Sequence, residues 1–126
     1  MTSPSATPER YPYQNEPIWS RSEKAIARKA FDAALERELH EVIQEAKQMA
    51  SQIQQASDLW DLEHYLTQRR KEIDRKYDYR HSQLTHVFGK LLCESRLREE
   101  HLRGLQEDKL KSIRSHAKFL AKMAAE

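Results

Sequence analysis

The positions of the prolines divide this chain into two unequal parts. Pro4, Pro8, Pro12 and Pro17 all lie before Ile18, and no proline follows. Proline is the residue that most strongly interrupts an α-helix, so the long proline-free part favours extended helices. We therefore expect a single all-helical domain over residues 18–126, preceded by an N-terminal arm at residues 1–17. The arm is rich in Ser, Thr and Pro, which predicts disorder because such a composition buries too little apolar surface.

The first half of the helical part carries a heptad pattern. Its apolar side chains recur at alternating spacings of four and three residues, the pattern by which one helix packs against another in a coiled coil. A lone helix gains little stability from propensity, so this stripe has to dock on something. We predict that the stripe is the interface of an antiparallel homodimer. Its residues are Leu35, Leu39, Val42, Ile43, Ala46, Met49 and Ile53.

Two local signals predict where the first helices begin. Ser20 and Glu23 have the spacing of a capping box, in which each residue satisfies a free backbone N–H of the other. Ser57 and Asp58 are good N-cap residues, and the apolar register slips just after them. We therefore predict a bend at residues 56–58 and a second helix from Asp58 to about Tyr77.

The last third of the chain predicts two more helices. One apolar stripe covers residues 84–92 and another covers residues 102–120, separated by a turn that Ser95 would cap. Gly104 is a weak point in the last of these helices. No run alternates with a period of two, so no strand is predicted. The expected fold is all-α and elongated, with a long coiled-coil-like N-terminal helix and a smaller C-terminal helical head.

The segment from Asp58 to Arg80 has the spacing of a helix but an unusual composition. Arg70 interrupts an otherwise apolar stripe, and Trp60 and three tyrosines lie among acidic residues. Trp, Tyr and Arg are the residues that dominate binding hot spots. Two readings of Trp60 remain open: a core residue at the helix bend, or an anchor at an interface. Arg70 could equally form a surface ion pair with Asp74 or Glu63.

The composition limits the classes of function. Charged residues make up 33% of the chain and mean hydropathy is −0.94, which fits helices with narrow buried stripes rather than a large core. The net charge is only +2 with the two signs interleaved, so a nucleic-acid binder is not favoured. No stretch approaches the ~20 apolar residues of a membrane span. Cys93 is the one cysteine, so no internal disulfide is possible, and we expect it to act as a small hydrophobic residue.

Metal binding and catalysis are not predicted either. No two of the six histidines lie three or four residues apart, as chelation on one helical face requires. Carboxylates are plentiful, but thin helices seldom build the desolvated pocket that an acid or base needs. We expect no catalytic residue, no metal and no cofactor.

The pattern DLWxLxxxLxxxRxEIDxKYDxR over Asp58–Arg80 resembles the fluorescence recovery proteins of cyanobacteria. The likeness extends to IWS at Ile18–Ser20, RELHEVI at Arg37–Ile43, VFGKLL at Val87–Leu92 and DK at Asp108–Lys109. It covers the chain from about Ile18 to Leu120. A motif this long and chemically mixed is highly specific.

The resemblance implies a non-enzymatic regulator of photoprotection. Such a protein binds the photoactivated red form of the orange carotenoid protein, at its C-terminal domain, and speeds its return to the orange form. Quenching at the phycobilisome then ends. The resemblance also implies a homodimer without cofactor, located in the cytoplasm at the cytoplasmic face of the thylakoid. A helical adaptor with another protein partner is the alternative.

The resemblance further implies which residues contact the partner. Glu63 and His64 stand in the opposite order to the histidine and acid of the family pattern, so their inherited role is open. The implied partner-binding residues are Trp60, Glu63, His64, Arg70 and Phe88.

Overall fold

The computed structural model describes residues 18–126, and these residues form helices and no strand. The prediction of an all-α fold is confirmed. The predicted disorder of residues 1–17 lies outside the described residues. The helices are α1 at Arg21–Ser51, α2 at Ala56–Lys76, α3 at Leu84–Cys93 and α4 at Glu107–Ala125, with a 3₁₀ turn at Glu99–Leu102 before α4.

The predicted capping box opens α1 and also ties it to α4. The Glu23 amide donates to Ser20 Oγ over 3.2 Å, and the Ser20 amide donates to Glu23 Oε1 over 3.0 Å. The same carboxylate accepts the Gln106 amide on Oε2 at 2.9 Å, and Lys109 Nζ lies 3.1 Å from Oε1. Burial opposes ionisation of Glu23, but these partners outweigh it and lower its pKa to about 2. One buried carboxylate therefore fixes the starts of two helices.

The bend between α1 and α2 lies earlier than the sequence predicts. α1 ends at Ser51 and α2 begins at Ala56, so residues 52–55 form the turn. Asp58 is not the N-cap. It is the third residue of α2, where its carboxylate accepts the amides of Gln54 and Gln55 at 3.0 and 3.3 Å. The side chain still satisfies free N–H groups at the helix start, but from inside the helix.

α2 runs back antiparallel along α1. Arg69 reaches Glu38, and further along the chain the Tyr77 ring packs edge-on against Phe31 at 5.4 Å. Beyond α2, Tyr79 reaches the Lys24 carbonyl at 3.4 Å. Contacts therefore move towards the start of α1 as the chain advances. We call residues 35–76, which include the second half of α1 and all of α2, the hairpin.

The hydrophobic core lies in the other region, which we call the head. The head consists of residues 19–34 and 77–125, so it includes the first half of α1 and not only the C-terminal segments that the sequence predicted. Its buried apolar residues are Trp19, Ala27, Ala30, Phe31, Ala34, Leu84, Val87, Phe88, Leu91, Leu97, Leu102, Leu105 and Ile113.

Two turn residues in the head have roles that differ from those predicted. Gly104 lies in the turn before α4, not inside a helix, with φ of 106°, a conformation that glycine adopts without strain. Ser95 does not cap the helix that follows it; it closes the C-terminus of α3, where the Arg96 amide also donates to the Leu91 carbonyl over 2.8 Å. It has φ of 60° and its amide donates to the Leu92 carbonyl over 3.0 Å. Both residues let the chain reverse direction around the end of α3 and the start of α4.

Candidate partner-binding surface

The hairpin exposes apolar side chains along α1. Leu39 and Ile43 are 42% and 49% exposed. The other seam positions, Leu35, Val42, Ala46, Met49 and Ile53, are half-buried. Apolar side chains that follow one helix in this way form a surface that another molecule can cover.

α2 adds a second exposed patch, where the side chain of Trp60 is the largest apolar group. Trp60 is 62% exposed, so the interpretation of this residue as a core residue at the bend is wrong. Leu59, Leu66 and Arg70 follow at spacings of seven and four residues, which place them on one face beside Trp60. We call Leu59, Trp60, Glu63, His64, Leu66 and Arg70 the α2 patch.

The charged members of the α2 patch are solvated and weakly paired. Arg70 is 85% exposed, and its Nε lies 3.8 Å from the Asp74 carboxylate. An exposed pair at this distance contributes less than about 1 kcal/mol, so it leaves the guanidinium available. Glu63 accepts a hydrogen bond from Thr67 Oγ1 at 2.9 Å, and His64 is exposed. The structure therefore brings four of the predicted partner-binding residues together on α2.

Phe88 does not belong to this surface. Its side chain has no exposed area and lies in the core of the head. The expectation that Phe88 contacts a partner is therefore corrected to a role in packing. Its neighbour Gly89 shows why, because a Cβ at Gly89 would lie 2.8 Å from the His116 ring. α3 and α4 approach closely here, and that approach encloses the Phe88 ring.

Two tyrosines of the same sequence segment also serve the fold. The Tyr77 and Tyr79 rings pack edge-on against Phe31 at centroid distances of 5.4 and 4.8 Å. Arg28 lies over the Tyr79 ring at 4.1 Å. The hot-spot composition of Asp58–Arg80 therefore has two uses. Its first half faces solvent, and its end closes the head.

A buried carboxylate joins the hairpin to the head. Glu38 on α1 is fully buried and accepts a hydrogen bond from Arg69 at 2.9 Å and from the Tyr77 hydroxyl at 2.8 Å. Lys76 Nζ lies 2.8 and 2.9 Å from its two oxygens, and Arg96 Nε lies 3.3 Å away. We call these five residues the Glu38 cluster. Its members come from α1, from α2 and the residue that follows it, and from the turn after α3.

The charges of the Glu38 cluster are balanced by further partners. Glu94 accepts from Lys76 at 2.7 Å and from Arg96 at 3.0 Å. Burial opposes ionisation of Glu38, but hydrogen bonds from Lys76, Tyr77 and Arg69 outweigh it and hold its pKa below the ordinary value. Burial and the adjacent carboxylate raise the pKa of Tyr77, so its hydroxyl stays protonated and donates. The cluster is therefore an ion-pair network that fixes the hairpin on the head.

A pocket of about 560 Å³ opens beside this network. Its carboxylates are paired with cations, and Glu38, Glu72 and Glu94 all contact Arg or Lys. A carboxylate whose oxygens already accept hydrogen bonds from cations is poorly placed to take a proton from a substrate. Across residues 18–126, no group of three or more His, Cys, Asp or Glu side chains is placed to hold a metal ion.

Sequence reasoning missed the Glu38 cluster. Glu38, Lys76 and Tyr77 lie inside the quoted motifs, but the sequence predicts no role for Glu38 or Lys76 and places Tyr77 only among the hot-spot residues. The only sequence feature that pointed weakly to the cluster was the adjacent pair Lys76 and Tyr77 at the end of an amphipathic helix. Nothing in the spacing pairs them with Glu38, because the contacts span 38 and 39 residues.

None of the helices in the described part of the chain is long and apolar enough to cross a membrane. This observation covers residues 18–126 and is in line with the sequence, which shows no long apolar run.

Comparisons with known proteins agree with the fold and the motif. Residues 19–117 match the family described as photoprotection regulator fluorescence recovery protein. A fluorescence recovery protein of Synechocystis sp. is 40% identical over 101 residues, which are 80% of this chain and 93% of that relative.

Solved structures give the same result. The fluorescence recovery protein of Fremyella diplosiphon superposes with a TM-score of 0.77 at 40% identity, covering 80% of this chain and 99% of that one. The Synechocystis sp. PCC 6803 protein gives the same TM-score of 0.77 and 40% identity.

Proposed function

Because the chain belongs to the family of fluorescence recovery proteins, which are photoprotection regulators, we propose that it acts on the orange carotenoid protein. It binds the photoactivated red form, at the C-terminal domain, and accelerates its return to the orange form. Quenching at the phycobilisome then ends. The family match covers most of the helical part, and the proposal adds the partner and the direction of the effect.

The α2 patch is the observation that carries this proposal. Trp60 is 62% exposed, and Arg70 is 85% exposed with only one weak ion pair. Because most of its surface faces solvent, Trp60 contributes little to packing within its own chain. A large aromatic ring beside a free guanidinium instead has the composition of an interface hot spot, where area and directional hydrogen bonds combine. Glu63 and His64 lie beside them and complete the proposed contact.

The exposed face of α1 supports a homodimer. Leu39 and Ile43 lie in the middle of the hairpin, with Leu59 and Leu66 exposed on α2. A second copy of the chain presents the same apolar stripe, so an antiparallel pair buries both stripes against each other. The seam Leu35–Ile53 is the proposed interface. Dimerisation would present two α2 patches to the partner.

The proposed mechanism needs no covalent chemistry and no cofactor. The protein holds two separated domains of its partner so that they dock again. By linkage, it must bind the open or half-closed form better than the closed form, because equal affinity for both would shift nothing. To accelerate the return it must bind the re-docking transition state most tightly. A rigid surface suits this task, and the Glu38 cluster supplies rigidity where the hairpin meets the head.

We further propose that the protein works in the cytoplasm at the face of the thylakoid where its partner acts. A helical adaptor for another partner is the second candidate, since the apolar hairpin alone fits either function. The two candidate functions are distinguished by whether the chain binds the photoactivated carotenoid protein and speeds its recovery.

The direct test times the red-to-orange decay of photoactivated orange carotenoid protein in the dark. Adding the full chain should accelerate the decay in proportion to its concentration until the partner is saturated. The orange form should bind more weakly than the red form in the same buffer. An unchanged decay at saturating protein would leave only the adaptor candidate.

A further inference from the structure

The inner face of α2 packs only lightly against α1. Ile73, near the end of α2, is the one residue of this helix that is buried. The remaining side chains of the inner face are half-buried and follow one another at helical spacings: Asp58, Leu62, Tyr65, Arg69 and Lys76. The turns of α2 before Ile73 carry the α2 patch, and they therefore have little apolar packing to fix their orientation.

Arg69 takes a central position on this inner face and bridges two carboxylates. Its Nη2 donates to Glu38 Oε2 on α1 over 2.9 Å, and its Nη1 donates to Glu72 Oε1 on α2 over 2.7 Å. The Arg69 side chain is only 19% exposed. A planar guanidinium holds two acceptors in a fixed geometry, which a single ammonium group does not. This fork therefore connects α2 to α1 one turn before Ile73.

Open space lies on both sides of the bridge. A groove of about 800 Å³ is lined by Gln44 and Gln48 from α1 and by Tyr65 and Arg69 from α2. Arg69 also lines the pocket of about 560 Å³ that opens towards the head. The fork therefore spans a gap between the two helices that apolar side chains do not fill.

The bridge also determines which way the next residue faces. Successive residues of an α-helix point about 100° apart, so an inward Arg69 directs Arg70 outward. Arg70 is 85% exposed, and Trp60 on the same helix is 62% exposed. A rotation of α2 about its axis would move both side chains together. The direction in which the α2 patch faces therefore depends on the Arg69 fork.

We propose that Arg69 is a positioning residue for partner binding, which holds α2 in the orientation that presents the α2 patch. The inference rests on the proposed function, because the patch is assigned to the photoactivated carotenoid protein. Without the fork, α2 samples other orientations, and the apparent affinity falls with the fraction of molecules that present the patch correctly. The bound complex keeps its contacts. Arg69 therefore sets how much protein is needed, and not the maximal acceleration of recovery.

Loss of Arg69 should leave the junction with the head in place. Glu38 would keep Lys76 Nζ at 2.8 Å and Arg96 Nε at 3.3 Å, so its buried charge stays paired. Arg69→Met keeps a long side chain on the inner face but removes the fork. The melting temperature of this full-length variant should fall by about 5 °C or less.

Titration of the red-to-orange decay with full-length variants tests the proposal. Arg69→Met should need about tenfold more protein for half-maximal acceleration and should reach the maximum of the parent at saturation. Arg69→Lys keeps an ion pair with Glu38 without the fork, so it should recover part of the affinity. Arg75→Met is the matched control, because Arg75 is an exposed arginine on the same helix. It should titrate as the parent does.

Two further measurements separate positioning from direct contact and from a general loss of stability. Without the partner, amide hydrogen exchange of Arg69→Met should rise in residues 56–68 and stay as in the parent in α4. Glu72→Ala removes half of the fork and should weaken affinity less than Arg69→Met. The double variant should be no weaker than Arg69→Met, because both substitutions act through one fork.

The outcomes distinguish failure of this inference from failure of the proposed function. If the parent neither binds nor accelerates recovery, the proposed function fails and the assignment of this partner fails with it, whereas exchange in residues 56–68 still reports whether Arg69 holds α2. If the parent acts and Arg69→Met titrates equally well, the positioning role alone is overturned. A lower maximal acceleration, or additive losses with Glu72→Ala, would also overturn that role and make Arg69 a contact residue.

Discussion

The head and the hairpin contain the same kinds of residue, but the head buries them and the hairpin exposes them. In the head, Trp19, Phe31 and Phe88 are buried within one chain, and the carboxylate of Glu23 is buried with its partners around it. In the hairpin, Trp60 and Ile43 face solvent. An aromatic ring stabilises a fold only when its own chain covers it. The contacts that stabilise the single chain therefore lie mainly in the head. The hairpin exposes apolar surface that becomes stabilising only when a second molecule covers it.

The largest expected effect separates the two regions by two substitutions to alanine, one in each region. Phe88→Ala should cost about 3–5 kcal/mol of unfolding free energy, because it leaves a cavity in a fully buried site. Leu66→Ala, on the exposed face of α2, should cost less than about 1 kcal/mol. Urea titration followed by circular dichroism measures both. Equal losses would mean that the hairpin belongs to the core and would break the distinction.

The junction between the regions is expected to be nearly as sensitive. Glu38→Gln leaves Lys76, Arg69 and Arg96 without their buried carboxylate and should cost about 3 kcal/mol. Glu36→Gln is the control, since Glu36 is exposed on the same helix.

The pH dependence of the Glu38 variant sharpens this test. The folded-state pKa of Glu38 lies below the ordinary value of 4.5, so its stabilisation is present above that pH and is lost as pH falls through the folded-state value. Acid unfolding of Glu38→Gln should therefore be shallower below pH 4.5 than that of the parent. If the variant and the parent lost stability equally below pH 4.5, the cluster would not couple the hairpin to the head.

A charge introduced into the seam Leu35–Ile53 should weaken dimerisation of the chain. Ile43→Glu places two unpaired carboxylates in the proposed dimer interface and should weaken association by at least about 2 kcal/mol. Because Ile43 is half exposed in one chain, helicity should be kept. Analytical ultracentrifugation at micromolar concentration measures the mass. A variant that sediments as the parent dimer would move the interface away from this seam.

The smallest expected effect lies in the head, at His116. Burial, and then the nearby His86 and Lys90, lower the pKa of His116 below its ordinary value of 6.5. The folded state therefore prefers the neutral ring, and stability is lost as pH falls below 6.5. His116→Gln should remove a small part of the loss of melting temperature between neutral and mildly acidic pH. His64→Gln, on the exposed hairpin, should not alter the change of melting temperature with pH.

The sequence predicted local features better than contacts between distant segments. The capping box of Ser20 and Glu23 depends on neighbours three residues apart, and it is confirmed. Family membership rests on a long contiguous motif and is confirmed as well. The bend lies at residues 52–55 rather than 56–58, because Asp58 accepts the amides of Gln54 and Gln55 from the first turn of α2 instead of capping that helix itself.

The remaining features depend on packing that no spacing encodes. Phe88 and Trp60 are both aromatic residues on amphipathic helices, yet one is fully buried and the other is 62% exposed. Their difference arises because α4 covers α3, whereas α1 covers only the inner side of α2. Glu38 resembles a surface charge in the sequence, and only the return of α2 along α1 brings its cations to it. The dimer seam and the partner contacts stay predictions.

The measurement that tests the central claim most directly is the red-to-orange decay with Arg70→Leu. If the hairpin binds the partner and the head holds the fold, this variant should melt as the parent does, because Arg70 has only one weak ion pair. Its acceleration of recovery should nevertheless fall by about thirtyfold or more, as for a loss of a binding hot spot. Arg21→Leu, the same change on the exposed start of α1 in the head, should keep full acceleration. Full acceleration by Arg70→Leu would contradict the account and make the α2 patch an ordinary charged surface.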